Sequence, residues 1–157
     1  MRRAGLRNLR RCVASSVQAD PAMSVVVESL DHLVVNVRDV ETAAAWYERA
    51  LGMTREVFDT PHGPVTAMRF GRQKINLRPY TVSQEMWFTG KAIAPGSDDL
   101  CFLTKAAPQA VFDHLRSCGV AIEVGPTEKR GAMGAIMSVY CRDPDGNLIE
   151  ISSYKQT

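Results

Sequence analysis

Four cysteines are spread over 157 residues, and none forms a Cys-x-x-Cys pair. That removes the zinc-finger and dithiol-redox readings. Long hydrophobic runs are also missing, since nothing approaches the roughly 20 apolar residues that a membrane span needs. Acidic residues are absent from the start of the chain, where Arg2, Arg3, Arg7, Arg10 and Arg11 all precede Asp20. The net charge of +2 comes from this arm, and the chain beyond it sums to −2. Neither nucleic acid nor membrane is therefore expected as a partner.

The arm, residues 1–22, is rich in Arg, holds Ser15 and Ser16, and has the composition of a mitochondrial transit peptide. The alternative is a start assigned too far upstream, with Met23 the first residue of a cytoplasmic protein. No apolar core follows the arginines, so a secretory signal is not expected. Cys101 and Cys141 fall in apolar strand patterns and Cys118 at a helix end. Buried free thiols in a reducing compartment are the expectation. Apolar content of 45% and charged content of 23% fit a single globular domain over 23–157.

The domain repeats itself. Val25–Val37 reads as a buried strand. Asp39 can cap a helix whose apolar face is Ala43, Trp46, Tyr47, Ala50 and Leu51, and Gly52 ends it. Strands follow at 55–58, 65–70 and 74–77. The order then recurs: a strand at 99–104, a helix opened by Pro108 with Val111, Phe112, Leu115 and Cys118 inward, and Gly119 behind it. Strands at 120–124, 135–141 and 147–152 complete it. His32 and Asp99, Gly52 and Gly119, and Val57 and Val124 are each 67 residues apart. Toward the half ends Ile75 pairs with Ile149 and Asn76 with Glu150, at 74. Seven extra residues are expected in a Gly-rich loop at 127–134. A duplicated strand-helix-three-strand unit follows, with modules at about 28–80 and 98–154 joined by a linker at 81–97.

The segments LDHLVVNVRDVETAAAWYERALGM and VYCRDPDGNLIEIS, with GRQKINLRPY and PGSDDLCFLT between them, resemble the vicinal oxygen chelate superfamily of glyoxalases, bleomycin-resistance proteins and dioxygenases. Within it the likeness is to glyoxalase domain-containing protein 5-like and bacterial glyoxalase-like proteins. The resemblance implies an α+β fold of two tandem βαβββ modules curving around a cavity. It also implies metal ligands at the first and last strand of each module, which here are His32, Asn76, Asp99 and Glu150. Asn76 offers only a neutral carbonyl oxygen, and Asp99 stands where relatives carry an imidazole. Arg78, two residues after Asn76 on the same strand face, replaces a histidine of close relatives and is expected to orient an anionic substrate group. Tyr140 is expected to bind substrate beside it.

One imidazole, two carboxylates and an amide oxygen suit Mn²⁺, Mg²⁺ or Fe²⁺, with Zn²⁺ or Ni²⁺ as further options. The implied reaction is lyase or isomerase chemistry on a small oxygenated molecule through an enediolate-like anion, with Glu150 as general base. Two alternatives stand beside it: an Fe²⁺ extradiol-type dioxygenase, and a metal-free antibiotic-binding protein. Read without the family, Asp99 caps a turn and Asn76 hydrogen-bonds across the sheet. Trp87-Phe88 flank the pocket or pack over a dimer seam, and the Lys129–Gly134 segment is a glycine-bearing loop with two cations. Dimers are common in the family, so a homodimer with shared cavities is expected.

Overall fold

The computed structural model describes residues 25–155, and the N-terminal arm lies outside them. Ten elements follow in order: β1 (His32–Val37), α1 (Val40–Leu51), β2 (Thr54–Thr60), β3 (Gly63–Phe70), β4 (Gln73–Pro79), β5 (Asp99–Leu103), α2 (Pro108–Ser117), β6 (Ile122–Gly131), β7 (Gly134–Arg142) and β8 (Leu148–Tyr154). They form two four-stranded sheets of identical topology, β1-β4-β3-β2 and β5-β8-β7-β6. In each, the first strand lies at one edge and pairs parallel with the last, and the remaining pairs are antiparallel. This is the tandem βαβββ architecture that the repeat implies. Among the described residues no helix is long and apolar enough to cross a membrane.

Local chemistry explains the element ends. The Asp39 side chain accepts from the Thr42 amide at 2.7 Å and caps α1. Gly52 takes a left-handed φ of 63° and satisfies the last carbonyls of the helix. Pro108 opens α2, where its missing N–H costs nothing.

Strand alternation then sorts the faces. Val35, Val37, Ile75 and Leu77 of the first sheet, and Val139, Cys141, Ile149 and Ile151 of the second, join one core with the inner faces of both helices. Trp46 and Tyr47 sit in it edge to face, with centroids 5.1 Å apart. Phe70 meets Phe102 across the modules at 5.2 Å. The opposite face of each sheet is left open, and the candidate residues lie there.

Three expectations are corrected. The strand read over 25–37 starts at His32, and Val25, Val26 and Val27 are exposed. The register His32↔Lys74 lies almost at the start of β4, so upstream residues have no partner strand. Residues 127–134 are not a loop: β6 spans 10 residues against 7 in β2, and the extra length forms a hairpin paired to the Gly131↔Gly134 tip. Of the three described thiols only Cys141 is buried, while Cys101 is exposed because it points to the open face.

Candidate functional site

On the first sheet Val34 pairs with Asn76, which puts His32 and Asn76 diagonally adjacent on the open face. On the second, Cys101 pairs with Glu150, and Asp99 and Glu150 take the same diagonal relation. The four residues are thus two equivalent pairs, one per sheet. One chain does not close them into a ring: among the described residues no three His, Cys, Asp or Glu side chains lie close enough to hold a metal ion.

Each pair is prepared. His32 Nδ1 lies 2.6 Å from Asp31 Oδ1. A carboxylate only accepts, so Nδ1 is the donor, and the ring is turned so that Nε2 is the nitrogen left for a ligand. The same bond lowers the Asp31 carboxyl below its ordinary value. Asn76 is buried at 8% exposure, and its Oδ1 has no hydrogen-bond partner. A buried unpaired carbonyl is costly, and a cation or donor approaching from the open face would satisfy it. The cross-sheet hydrogen bond read as the plain role of Asn76 is therefore not made by its oxygen.

Glu150 Oε1 accepts from Ser138 Oγ at 2.5 Å and from Ser152 Oγ at 3.0 Å, and the two hydroxyls are 2.8 Å apart. Burial raises this carboxyl, but hydrogen bonds from Ser138, Tyr140, Ser152 and Cys101 outweigh it and hold the group below its ordinary value. Glu150 is therefore an immobilised anion at neutral pH, a better ligand than base. Ser152 was readable two residues along the same strand face. Ser138 was not, since it reaches Glu150 only through cross-strand register. Asp99 is exposed at the start of β5. Asp98 makes the turn contacts instead, its amide donating to Asn147 Oδ1 at 3.0 Å. Tyr140 lies directly opposite Glu150, and burial followed by that carboxylate pushes its phenol up to about 12. Lys129 Nζ stands 5.8 Å over its ring.

The depressed Glu150 carboxyl has a measurable consequence. Its contribution to stability is fully present above the unfolded value near 4.5 and is lost as pH falls through the lower folded value. In metal-stripped protein, the stability gap between wild type and Glu150→Gln is expected to be constant from pH 6 to 8 and to shrink below about pH 4.5. Urea unfolding across that range checks it.

The expectation that Arg78 orients an anionic ligand meets a guanidinium with no exposed surface. Its donors are taken by Asn36 Oδ1 and by main-chain oxygens of the inter-module segment. That segment brings Trp87 and Phe88 over Asn76, where they wall a cavity of about 480 Å³. A second hollow of about 440 Å³ lies on the other sheet between Glu150, Tyr140 and the Lys129–Ala132 hairpin.

Two duplicated modules with paired donor positions on their open faces define the class. The chain belongs to the Glyoxalase/Bleomycin resistance protein/Dioxygenase superfamily, whose family model matches residues 29–85 and 87–151. It is similar to virulence protein STM3117 of Salmonella typhimurium, with 44% identity over 135 residues, 85% of this chain and 89% of that protein. The crystal structure of STM3117 superposes with a TM-score of 0.73, covering 83% of this chain and 99% of the other. At 22% identity, a lactoylglutathione lyase from Agrobacterium tumefaciens (TM-score 0.63; 83% and 96% covered) and the antibiotic-binding protein TnmS3 from a Streptomyces species (0.65; 83% and 98%) share the fold alone.

Proposed function

We propose that the protein is a metal-dependent lyase or isomerase acting on a small oxygenated molecule, with each site assembled from the first sheet of one protomer and the second sheet of its partner in a homodimer. The observation that carries the reading is the buried, unpartnered Asn76 Oδ1 beside an imidazole that Asp31 holds through Nδ1. His32 and Asn76 are one half of the donor set, and Asp99 and Glu150 the other. Two carboxylates balance a divalent ion, and three oxygen donors with one nitrogen fit Mn²⁺, Mg²⁺, Fe²⁺, Zn²⁺ or Ni²⁺. Such an ion supplies Lewis-acid polarisation of two substrate oxygens.

The chain's own groups do the rest. Ser138 and Ser152 keep Glu150 in one position as an anion, and Tyr140 holds its proton at neutral pH, donates it to Glu150 and leaves its oxygen to accept from a substrate hydroxyl. Proton abstraction falls to Glu150 if it is loosened from the two serines, since while held it is a weak base.

Equilibrium dialysis of chelator-treated protein against Mn²⁺, Fe²⁺, Zn²⁺ and Ni²⁺ tests the reading. One ion per chain is expected for wild type and none at the same concentration for His32→Ala. If wild type takes up no ion, or His32→Ala matches it, the metal reading fails and a metal-free binding protein replaces it. Oxygen uptake with catechols by the iron-loaded protein would instead favour the dioxygenase.

A further inference from the structure

The cavity over Asn76 owes its shape to one enclosed side chain. Arg78 has no exposed surface. Nε donates to Trp87 O at 3.3 Å, Nη1 to Asn36 Oδ1 at 3.2 Å and Pro79 O at 3.4 Å, and Nη2 to Val82 O and to Ser83 O at 3.3 Å. A desolvated guanidinium must have its donors satisfied. Four of these five acceptors are carbonyls within residues 79–87. That stretch holds few backbone hydrogen bonds of its own, Val82 N to Pro79 O and Trp87 N to Ser83 O. The path of the segment is therefore set by Arg78.

This path carries Val82, Met86, Trp87 and Phe88 to one wall of the cavity, opposite Phe58 and Val65 of the sheet. No lysine or arginine lines it among the described residues. The one fixed charge on it is Glu85, and the one unsatisfied polar atom is Asn76 Oδ1 at the floor. Phe88 stands at the rim with 88% of its surface exposed. About 480 Å³ lies in the range of small-molecule pockets. An anionic tail would find only the His62 imidazole beside it, would meet Glu85, and would lose its hydration with little compensation.

We infer that this cavity is a subsite for an uncharged, largely aromatic or branched-aliphatic portion of the ligand bearing one donor for Asn76, and that Arg78 is the positioning residue that builds it. This deepens the functional reading above and rests on it only through Asn76, which serves both. Specificity for the body of the ligand sits in the inter-module segment, while the donor set handles its oxygens.

The test uses two probes with the same ring systems, neutral N-phenyl-1-naphthylamine, which carries one N–H, and its sulfonated analogue 1-anilinonaphthalene-8-sulfonate. Binding is followed by energy transfer from Trp87 in a Trp46→Phe background, with metal-stripped and Mn²⁺-loaded protein. The neutral probe is expected to bind once per chain and about tenfold tighter than the sulfonate. Phe88→Ser, at an exposed position, should weaken it about tenfold without moving the unfolding midpoint. Arg78→Gln should weaken it as much and also red-shift Trp87 emission and open that ring to acrylamide quenching. Where Arg78→Gln does not fold, Met86→Ser and Phe88→Ser carry the test. The inference is overturned if the sulfonate binds as tightly, if Phe88→Ser leaves neutral binding unchanged, or if the probe enters only on dilution to monomers, which would mean that a second copy fills the cavity. A protein that binds the neutral probe but no metal ion sinks the metal reading and leaves this one. The reverse result does the opposite.

Discussion

Asp143→Ala is expected to lower the stability of the folded protein by about 3–5 kcal/mol, read as a fall in urea midpoint with unchanged slope. Asp143 is 5% exposed and its carboxylate is fully engaged. It accepts from the Asp145 amide at 2.9 Å, the Asn147 amide at 2.9 Å, Asn147 Nδ2 at 2.7 Å and the Tyr47 hydroxyl at 3.0 Å. Three of these donors organise the turn from β7 to β8, and the fourth belongs to the helix of the other module. Alanine would strand all four in a space that water does not reach, and each orphan donor costs about 1–3 kcal/mol before relaxation. Tyr47→Phe is the control: it removes one hydroxyl and leaves Asp143 three donors, so its cost should be close to 1 kcal/mol. Burial, followed by the Asp143 charge, pushes the Tyr47 phenol strongly upward, so no ionised tyrosine contributes. A second tie crosses at the same turn, where Arg38 N donates to Asp145 Oδ1 at 2.9 Å and Nη1 to Asp145 O at 2.9 Å. The Arg-Asp-Pro-Asp-Gly-Asn stretch is therefore the fastening between modules, and it positions Glu150 from behind.

Mixing two inactive variants should restore metal binding. If each site takes His32 and Asn76 from one protomer and Asp99 and Glu150 from its partner, His32→Ala and Glu150→Ala each spoil every site in their own homodimers. Unfolded together in equal amounts and refolded, half the dimers carry one of each. In those, both lesions fall in one site and the other is intact. Recovery of about a quarter of the wild-type metal sites is then expected, as the symmetry of a two-fold dimer requires. Metal analysis after dialysis reads this against a background near zero for each variant alone. No recovery at all would place the complete donor set within one chain and sink the shared-site arrangement.

Much of the fold was legible because it rests on local signals. Asp39 and Gly52 announce the ends of α1, and the alternation of Val35, Val37, Ile75 and Leu77 marks the inward faces. The 67-residue offset aligned His32 with Asp99 before any strand was paired, and the registers Val34↔Asn76 and Cys101↔Glu150 reproduce it. What escaped was non-local. Val25–Val27 are as β-prone as a core strand, but β4 gives them nothing to pair with. Arg78 looked like a recognition residue because it shares a strand face with Asn76 and stands where the resemblance implies a histidine, and a guanidinium there could grip an anion bidentately. The carbonyls that satisfy it come from a segment without regular structure, and no periodicity reveals that. Cys101 read as buried for the converse reason: its strand is apolar, but its side chain points to the open face. Within the candidate site the pairs His32/Asn76 and Asp99/Glu150 follow from strand alternation. Nothing in one chain's pattern says which sheet they face.

Because both sheets turn one side into a common core and leave the other side out of it, the chain separates what must be kept to fold from what can change. A substitution at Asn76, Lys129 or Tyr140 alters the lining of an open-face hollow without opening a hole in the shared core. The duplicated halves have drifted apart in just this way, since one outward face is lined with Trp87 and Phe88 and the other with Tyr140, Lys129 and a carboxylate. For protein engineering, this means that new ligand preferences can be selected on one face at a time, with the second half acting as an unchanged folding partner.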